Sequence, residues 1–423
     1  MQSPRIVCVV ASFLVAASVL LAQVPQNSGL AFAHAVSYDA GGQATYAVAV
    51  ADLNGDGYPD IVVANQCAIG GCSNGSVGVL LGNGDGTFQP PVVYQSGGRI
   101  ATGLAVGDVN GDGKIDLIVA NYWPTGAGDG GTLGVLLGNG DGTFQPAVTY
   151  QSGGVTGFGV AIADVNGDGK LDLVATSECN KKKPCKYGVV GVLIGNGDGT
   201  FQPAVTYRSG GDDALGVVVA DVNGDGKPDI VTANFVSWGA KSKHASVGVL
   251  LNNGDGTFQP AVSYDSGGAF SLSVAVADFN GDRIPDIVVA NLNPKGQNGE
   301  SEGVVGVLIG NGDGTFQRVV TYQPGGEEAY WLGAADVNGD GKMDVVVCEL
   351  GGVDVLLGNG NGTLQPGVAF DSGFPTATGL VIADVNGDGK PDLVIANDSY
   401  SSSVNVMLNE STNIPITSLP PSQ

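Results

Sequence analysis

The chain has 423 residues, of which 43% are hydrophobic and 14% are charged, and its formal net charge at pH 7 is −24. This excess of acidic groups argues against a nucleic-acid partner, whose phosphates would be repelled. Glycine contributes 71 residues but without the triplet repeat of collagen, and the hydrophobic content is too high for a disordered glycine-rich chain.

Residues 1–22 are predicted to form a secretion signal. Arg5 precedes an apolar run over residues 6–21, and the small residue Ala22 is suited to precede a cleavage site. The run is slightly shorter than the ~20 residues that cross a bilayer comfortably, and an uncleaved membrane anchor is the alternative. We therefore predict a secreted protein, extracellular or periplasmic, that is not inserted in a membrane once the signal is removed.

A nine-residue pattern, D-x-N-G-D-G-x-x-D, dominates the rest of the chain. Its seven copies begin at Asp52, Asp108, Asp164, Asp221, Asp278, Asp336 and Asp384. Successive starts differ by 56, 56, 57, 57, 58 and 48 residues, and a period of this length indicates a repeat architecture. We therefore predict one array over residues 30–409 rather than two or three separate domains.

Each repeat is predicted to contain four strands. In the second copy, apolar runs at residues 103–107 and 116–120 flank the pattern, and two more follow at residues 133–137 and 144–150. These runs are apolar at nearly every position, so both faces of each sheet should be covered. Seven four-stranded antiparallel units around a channel form a seven-bladed all-β propeller, which is the predicted fold.

The two ends of the chain are predicted to complete one blade. Only two apolar runs follow the seventh copy, whereas residues 29–42 resemble residues 256–268, which form a fourth strand in their own repeat. We expect the N-terminal strand to close the last blade and the protein to be a monomer. Residues 410–423, rich in Ser and Pro, are predicted to form a disordered tail.

The repeated pattern has the ligand spacing of a calcium loop. Side-chain oxygens at positions 1, 3, 5 and 9 and the backbone carbonyl at position 7 form the hard donor set that Ca²⁺ prefers, whereas Mg²⁺ demands stricter geometry. The glycines at positions 4 and 6 permit the positive φ angles of a tight curl. The predicted ligands of about seven structural calcium ions are Asp52, Asn54, Asp56, Tyr58, Asp60, Asp108, Asn110, Asp112, Lys114, Asp116, Asp164, Asn166, Asp168, Lys170, Asp172, Asp221, Asn223, Asp225, Lys227, Asp229, Asp278, Asn280, Asp282, Ile284, Asp286, Asp336, Asn338, Asp340, Lys342, Asp344, Asp384, Asn386, Asp388, Lys390 and Asp392.

Two known calcium motifs are excluded by the spacing. An EF-hand closes its loop at position 12 between helices, and the nonapeptide roll repeats every nine residues. A metal-free turn stays open as an alternative, because Asp and Asn also stabilise turns through side-chain to backbone bonds. The fifth copy has Arg283 in place of a glycine, and its occupancy is the hardest to predict. The GNGDGT-type segments that begin at residues 82, 138, 195, 252, 310 and 358 lack a downstream ligand and are predicted to be hairpin turns.

Two close cysteine pairs are predicted to form local disulfides. Cys67 with Cys72 and Cys179 with Cys185 lie in equivalent irregular segments of the first and third repeats, as suits an oxidising compartment. A zinc site is the alternative, although no His flanks either pair. Cys348 follows an apolar run and is predicted to be a buried thiol.

Residues for ligand recognition are predicted on the face opposite the calcium loops. The second and fourth connections of each repeat meet there, and their variable segments suggest recognition. The aromatic residues of these segments are Tyr122, Trp123, Phe235, Trp238 and Tyr400. Trp331, preceded by Tyr330, stands five residues before an initial Asp, where the other copies have Ala, Gly or Ser. Its ring suits stacking on a sugar, although plugging the channel is an equal alternative.

The sequence offers little for catalysis. The only histidines are His34, within the predicted closing strand, and His244, and no catalytic triad or carboxylate pair can be assigned. We predict a binding protein rather than an enzyme, with a polysaccharide lyase or a sugar dehydratase as the alternative.

The seven loops with their apolar flanks resemble FG-GAP repeats of the VCBS type and are similar to the N-terminal propeller of integrin α subunits. The resemblance covers nearly the whole chain after the signal. It implies a seven-bladed extracellular propeller stabilised by calcium at the ligand positions named above. It also implies a binding or adhesion module for an extracellular protein or a glycan, with a lectin-like propeller as the alternative.

Overall fold

The computed structural model describes residues 29–69, 71–125, 130–179, 187–236, 245–293, 302–398 and 402–412. All regular structure in these ranges is β, which confirms the predicted fold class. None of these residues belongs to a helix long and apolar enough to cross a membrane. The predicted signal at residues 1–22 lies outside the described part of the chain.

The described strands form seven groups of four. The N-terminal strand is β1 (Val36–Asp39). Group 1 comprises β2 (Gly42–Ala51), β3 (Asp60–Ala68), β4 (Ser76–Leu80) and β5 (Val92–Gln95). Group 2 comprises β6 (Gly98–Gly107), β7 (Asp116–Pro124), β8 (Thr132–Leu136) and β9 (Val148–Gln151). Group 3 comprises β10 (Val160–Ala163), β11 (Asp172–Ser177), β12 (Val189–Leu193) and β13 (Val205–Arg208).

The remaining groups follow the same order. Group 4 comprises β14 (Asp213–Ala220), β15 (Asp229–Phe235), β16 (Ser246–Leu250) and β17 (Val262–Asp265). Group 5 comprises β18 (Phe270–Ala277), β19 (Asp286–Asn293), β20 (Glu302–Leu308) and β21 (Val320–Tyr322). Group 6 comprises β22 (Glu327–Ala335), β23 (Asp344–Leu350), β24 (Gly352–Leu356) and β25 (Val368–Phe370). Group 7 comprises β26 (Ala377–Ala383), β27 (Asp392–Asn397) and β28 (Ser403–Met407), joined by β1.

Hydrogen bonding divides these strands into six antiparallel sheets. Five sheets contain one group each, with the strands in chain order apart from β1. The sixth sheet has eight strands, because groups 4 and 5 are linked by one further pairing between Phe235 and Phe270. Repeated four-stranded antiparallel sheets are thus observed as predicted.

The hydrophobic core lies between the groups rather than within any one of them. The second and third strands are apolar and buried along nearly their whole length, as in β3 and β4, because both of their faces are covered by neighbours. Within the described ranges the buried residues form seven clusters, and each cluster joins two consecutive groups. One of them unites Ile61 and Val63 of group 1 with Val394 and Val406 of group 7.

The fourth strand of each group is short and exposed. These strands have three or four residues, and Val92, Val148 and Val205 on them are 50 to 56% exposed. A tyrosine on most of these strands packs edge-on against the phenylalanine that follows the hairpin turn of the next group. Tyr94 and Phe144, for example, have ring centroids 5.6 Å apart.

The N-terminal segment completes the sheet of group 7. Strand β1 pairs antiparallel with β28, and Tyr38 faces Val404 in the register. Phe32 bridges Asn409, as Phe88 bridges Gly82 in group 1. Residues 410–412, expected to belong to the disordered tail, instead bond to residues 29–31. The ordered pairing therefore extends three residues beyond the predicted boundary at 409, and residues 413–423 lie outside the described part.

We expect a chain that begins at Gly41, and so lacks β1, to unfold at a clearly lower temperature than one that begins at Gly29. The shorter chain leaves the edge of β28 unpaired and removes Ala40, whose carbonyl accepts a hydrogen bond from Asn65. Thermal unfolding followed by circular dichroism, with size-exclusion chromatography, measures the difference. Equal unfolding temperatures and a monomeric shorter chain would contradict this role of β1.

Candidate functional site

The first acid of each nine-residue loop is surrounded by backbone N–H groups. In group 2 the Oδ1 atom of Asp108 accepts hydrogen bonds from the amides of Gly111 at 2.7 Å and Asp112 at 3.1 Å, and Oδ2 accepts one from Gly113 at 2.7 Å. Gly111 and Gly113 have φ angles of +73° and +80°, which a residue with a Cβ atom rarely adopts. The sequence therefore folds into a tight curl around one carboxylate.

The fifth loop keeps this curl despite its departure from the pattern. Arg283 adopts a φ of +66°, and its amide donates to Oδ2 of Asp278 at 2.7 Å. The strain of a left-handed non-glycine residue, of the order of 1 kcal/mol or more, is thus accepted at this position.

The ninth acid of each loop is fully buried and ties the loop to the next hairpin. In group 2 the Oδ2 atom of Asp116 accepts a hydrogen bond from the amide of Val109 at 3.0 Å, and Oδ1 accepts one from Gly138 at 2.8 Å. All seven loops repeat this pair of bonds, with distances of 2.7 to 3.1 Å. The calcium-type loop and the GNGDGT-type turn are therefore one connected unit.

Burial and neighbouring charge perturb these inner acids. Desolvation raises the pKa of Asp344 to about 7 and those of Asp229 and Asp392 to about 6. Two backbone N–H groups oppose this shift, and the first and fifth acids of the same loop add to it by charge repulsion. The first and fifth acids thus disfavour the ionised form of the buried ninth acid, a situation that a bound cation would relieve.

The donor chemistry of the loops suits a hard cation, but the acids do not converge on one point. No group of three His, Cys, Asp or Glu side chains in the described ranges is arranged to hold a metal ion. In group 2 the middle acid Asp112 instead lies 3.5 Å from Nζ of Lys114. The buried Asp116 accepts two hydrogen bonds, and a carboxylate offers about four lone-pair sites. Its remaining acceptor capacity, with the other loop oxygens, fits the donor set of calcium.

The GNGDGT-type segments are self-contained turns. In group 2 the amide of Asn139 donates to the carbonyl of Thr143 at 2.9 Å, and Oδ1 of Asp141 accepts from the amide of Thr143 at 3.0 Å. Gly140 has a φ of +80°, and an added Cβ would lie 3.0 Å from the side chain of Lys114. The side chain at position 7 of the loop thus covers the turn, and the positive φ favours glycine at this position.

A chain of five aromatic rings joins two first strands, the segment just before a third, and the end of a second strand. Centroid distances are 4.9 Å from Trp123 to Tyr122, 5.6 Å from Tyr122 to Phe158, 6.4 Å from Phe158 to Tyr46 and 6.3 Å from Tyr46 to Trp331. These residues belong to or adjoin groups 1, 2, 3 and 6. The structure therefore brings Trp123 and Trp331, which were predicted separately, into one cluster.

Polar groups accompany these rings. The hydroxyl of Tyr122 donates to Oε2 of Glu178 at 2.8 Å, and burial raises the pKa of both side chains. The guanidinium carbon of Arg99 lies 5.8 Å from the ring centroid of Trp123, which is 42% exposed. The cluster thus combines an exposed indole, a cation and a carboxyl group, a composition suited to recognition.

Sequence reasoning missed two members of the ring chain. Tyr46 and Phe158 stand six residues before the initial Asp of their loops, whereas Trp331 stands five before its own. A comparison of the residues six positions before the initial Asp of each loop would have identified both as aromatic. The hydroxyl of Tyr330 donates a hydrogen bond to the carboxylate of Glu328. Trp238 and Tyr400 lie outside the described residues.

The structure shows the bonding state of four cysteines and the location of one histidine. Cys67 and Cys72 are joined by a disulfide with their Cα atoms 4.3 Å apart. Cys179 is disulfide-bonded, and its predicted partner Cys185 lies outside the described residues. Cys348 is a buried free thiol, and burial raises its pKa. His34 is exposed and precedes β1 rather than lying within it, and His244 falls outside the described ranges.

A pair of buried acids was also missed. Glu349 on β23 and Asp354 on β24 are diagonal neighbours in one sheet, and they are 2% and 4% exposed. The sequence signal is their position, because most other groups have Asn and Gly at the equivalent places. Their burial separates them from any dissolved substrate.

Comparisons with known proteins agree with this architecture. A family model described as FG-GAP-like repeat matches residues 66–119, 122–175, 185–232, 235–289, 296–347 and 336–395, and an FG-GAP repeat model matches residues 44–80. No curated protein sequence matches the chain.

Two solved structures have a similar fold. The first is an Agrocybe aegerita lectin studied for its specific recognition of non-reducing terminal N-acetylglucosamine. It is 22% identical with a TM-score of 0.52, and the match covers 91% of this chain and 97% of that chain. The second, BBS1N in complex with ARL6DN and soaked with mercury, is 14% identical with a TM-score of 0.51, covering 92% and 98%. At these identities the likeness concerns the fold alone.

Replacing Asp116 with Ala should lower the free energy of unfolding by about 2 kcal/mol or more, since two buried N–H groups lose their acceptor. The matched control is Asp141→Ala in the adjoining exposed turn, for which we expect little change. Urea unfolding followed by circular dichroism compares the two variants with the parent. Equal stability of both variants would contradict the structural role assigned to the ninth acid.

Proposed function

The chain belongs to the FG-GAP-like repeat family, and on that premise we propose that it is a secreted, seven-bladed, calcium-stabilised propeller that binds an extracellular ligand. The ring of seven blades is supported by the core clusters, because they join each group to the next and group 7 to group 1. The first strands follow the same order, and β26 also contacts β2. The pairing of β1 with β28 agrees with closure by the N-terminal strand.

Binding, rather than catalysis, is the activity that the ring chain supports best. Tyr46, on the first strand of group 1, contacts Phe158 near group 3 and Trp331 of group 6, which are not its neighbours in the array. In a propeller such rings lie at the mouth of the axial channel. There they form a rigid apolar surface with the exposed Trp123 at one end, and rigid aromatic rings are effective binding groups.

Calcium is proposed for the loops because of the charge that they collect. Each loop places a buried ninth acid near two further carboxylates, and burial together with their charge raises the pKa of Asp344, Asp229 and Asp392. When bound, calcium would neutralise this charge and link oxygens from both ends of the loop. The chain's own residues hold the loop in its curl through the amides around the first acid.

Secretion is supported by the disulfide between Cys67 and Cys72, since such bonds persist in oxidising compartments. A monomer is proposed because each group finds its partners within the same chain. The ligand would be an extracellular protein or a glycan, and neither nucleic acid nor a membrane is proposed as a partner.

Adding calcium to metal-free protein should raise the unfolding temperature, because an ion that binds only the folded state stabilises it by about 2.7 kcal/mol per site at 100 times its dissociation constant. Native mass spectrometry should find about seven calcium ions per chain. Magnesium is the control ion and should have a smaller effect. Unchanged stability together with no bound metal would overturn the calcium proposal and leave the loops as turns.

A lectin-like function is the second candidate, favoured by the exposed indole of Trp123 beside a carboxyl group and a guanidinium. We expect retention on a glycan array that is lost in Trp123→Ala and reduced in Trp331→Ala. Val148→Ala, an exposed change on an outer strand, is the control and should bind like the parent. Binding to proteins with no response to any glycan would favour adhesion instead, and binding that survives both Trp changes would exclude this surface.

A further inference from the structure

Group 6 differs from the other groups at two positions that are diagonal neighbours on adjoining strands. Near the end of the second strand, five groups have Asn, group 3 has Ser177, and group 6 has Glu349. In the middle of the third strand, five groups have Gly, group 7 has Asn405, and group 6 has Asp354. A neutral pair has thus been replaced by two acids within one sheet.

The asparagine of the other groups has a structural task. The side-chain amide of Asn121 donates to the carbonyl of Ser96 at 3.1 Å, and that of Asn291 donates to Ser266 at 2.9 Å. Each bond fixes the linker that enters the group to the second strand of that group. In group 6 this linker contains Gly325 and Gly326. A Cβ added to Gly326 would overlap Oε2 of Glu349, and one added to Gly325 would lie 2.9 Å from Oδ2 of Asp354, so the linker lies directly against the acid pair.

The acids are enclosed at the boundary between groups 5 and 6. A Cβ added to Gly303 of β20 would lie 3.0 Å from Oε1 of Glu349 and 2.9 Å from the amide nitrogen of Ala329 on β22. Oε1 of Glu349 and Oδ2 of Asp354 have no hydrogen-bond partner among the described residues. The site therefore has no room for a shell of water around a second charge.

No counter-charge faces the pair in the described part of the chain. Its titratable neighbours are the two acids themselves and the buried thiol of Cys348. From the adjoining strands, Glu302 bonds to Gln323 and Glu328 bonds to Tyr330. The ion pairs found among these residues join loop lysines to loop aspartates.

We propose that Glu349 and Asp354 share one proton at neutral pH, and that its release to solvent in alkaline conditions loosens the boundary between groups 5 and 6. Two carboxylates in hydrogen-bond contact cannot both ionise without strong repulsion, so a single proton holds them together. This proton-sharing pair does not involve the calcium loops or the proposed ligand surface.

The direction of the pH effect follows from the pKa values. Burial, followed by the charge of Asp354, raises the pKa of Glu349 from an ordinary value of 4.5 to about 9. The folded state therefore retains a proton that the unfolded chain has already lost. The stabilisation is complete below about pH 4.5 and declines as the pH rises towards about 9.

The test uses a variant that restores the residues of the other groups, Glu349→Asn with Asp354→Gly. Unfolding temperatures are measured from about pH 6 to about pH 9.5 in one calcium-containing buffer, alongside infrared spectra of the carboxyl region. We expect the parent to lose stability relative to the variant as the pH rises. We also expect a protonated-carboxyl band at neutral pH that the variant lacks.

Glu349→Gln provides a second variant, because it keeps the shape and hydrogen bonds of a neutral acid and should fold even if the double change does not. Hydrogen exchange at residues 302–308 should accelerate at alkaline pH in the parent more than in Glu349→Gln, with residues 132–136 of group 2 as the internal reference. Parallel pH curves for parent and variants, or no protonated carboxyl at neutral pH, would overturn the proposal.

Discussion

The ninth aspartate of each loop ties that loop to the following turn, at the end of the strand ladder that already joins their two hairpins. Its two carboxylate oxygens accept one amide from its own loop and one from the following turn, as Asp116 does with Val109 and Gly138. A buried charge is costly unless it is hydrogen-bonded. The fold therefore depends on seven small polar centres at the loop end of the core, and a cation bound in the loops would lie beside them.

The two ends of each strand group differ in how uniform they are among the seven groups. At the loop end, all seven groups repeat the same hydrogen bonds, and even Arg283 conforms to them. At the other end, the groups differ, with a disulfide in group 1, the exposed Trp123 in group 2 and the acid pair in group 6. Uniform contacts specify the architecture, and the deviations concentrate where recognition and regulation are proposed.

The sequence was sufficient for the strands and loops because their signals are local. Apolar runs, glycines at positive φ and a regular spacing identify β7, the curl at Asp108 and the turn at Asn139 without tertiary knowledge. The ring chain required contacts between Tyr46 and residues more than a hundred positions away, which no local pattern encodes. The acid pair was missed because it stands out only when equivalent positions of the groups are compared, and the contact of Lys114 with Asp112 depends on side-chain conformation, which the spacing of the loop does not specify.

Pairing of β1 with β28 brings together Val36 and Val406, so the first described strand bonds to the last described strand. During synthesis, β1 therefore has no partner until β28 has emerged, and its edge stays unpaired for that interval. Long-range pairing of this kind is slow because the chain loses the entropy of loop closure before the stabilising contacts form. A chain that ends before β28 therefore leaves β1 without its partner, and the sheet of group 7 cannot form completely.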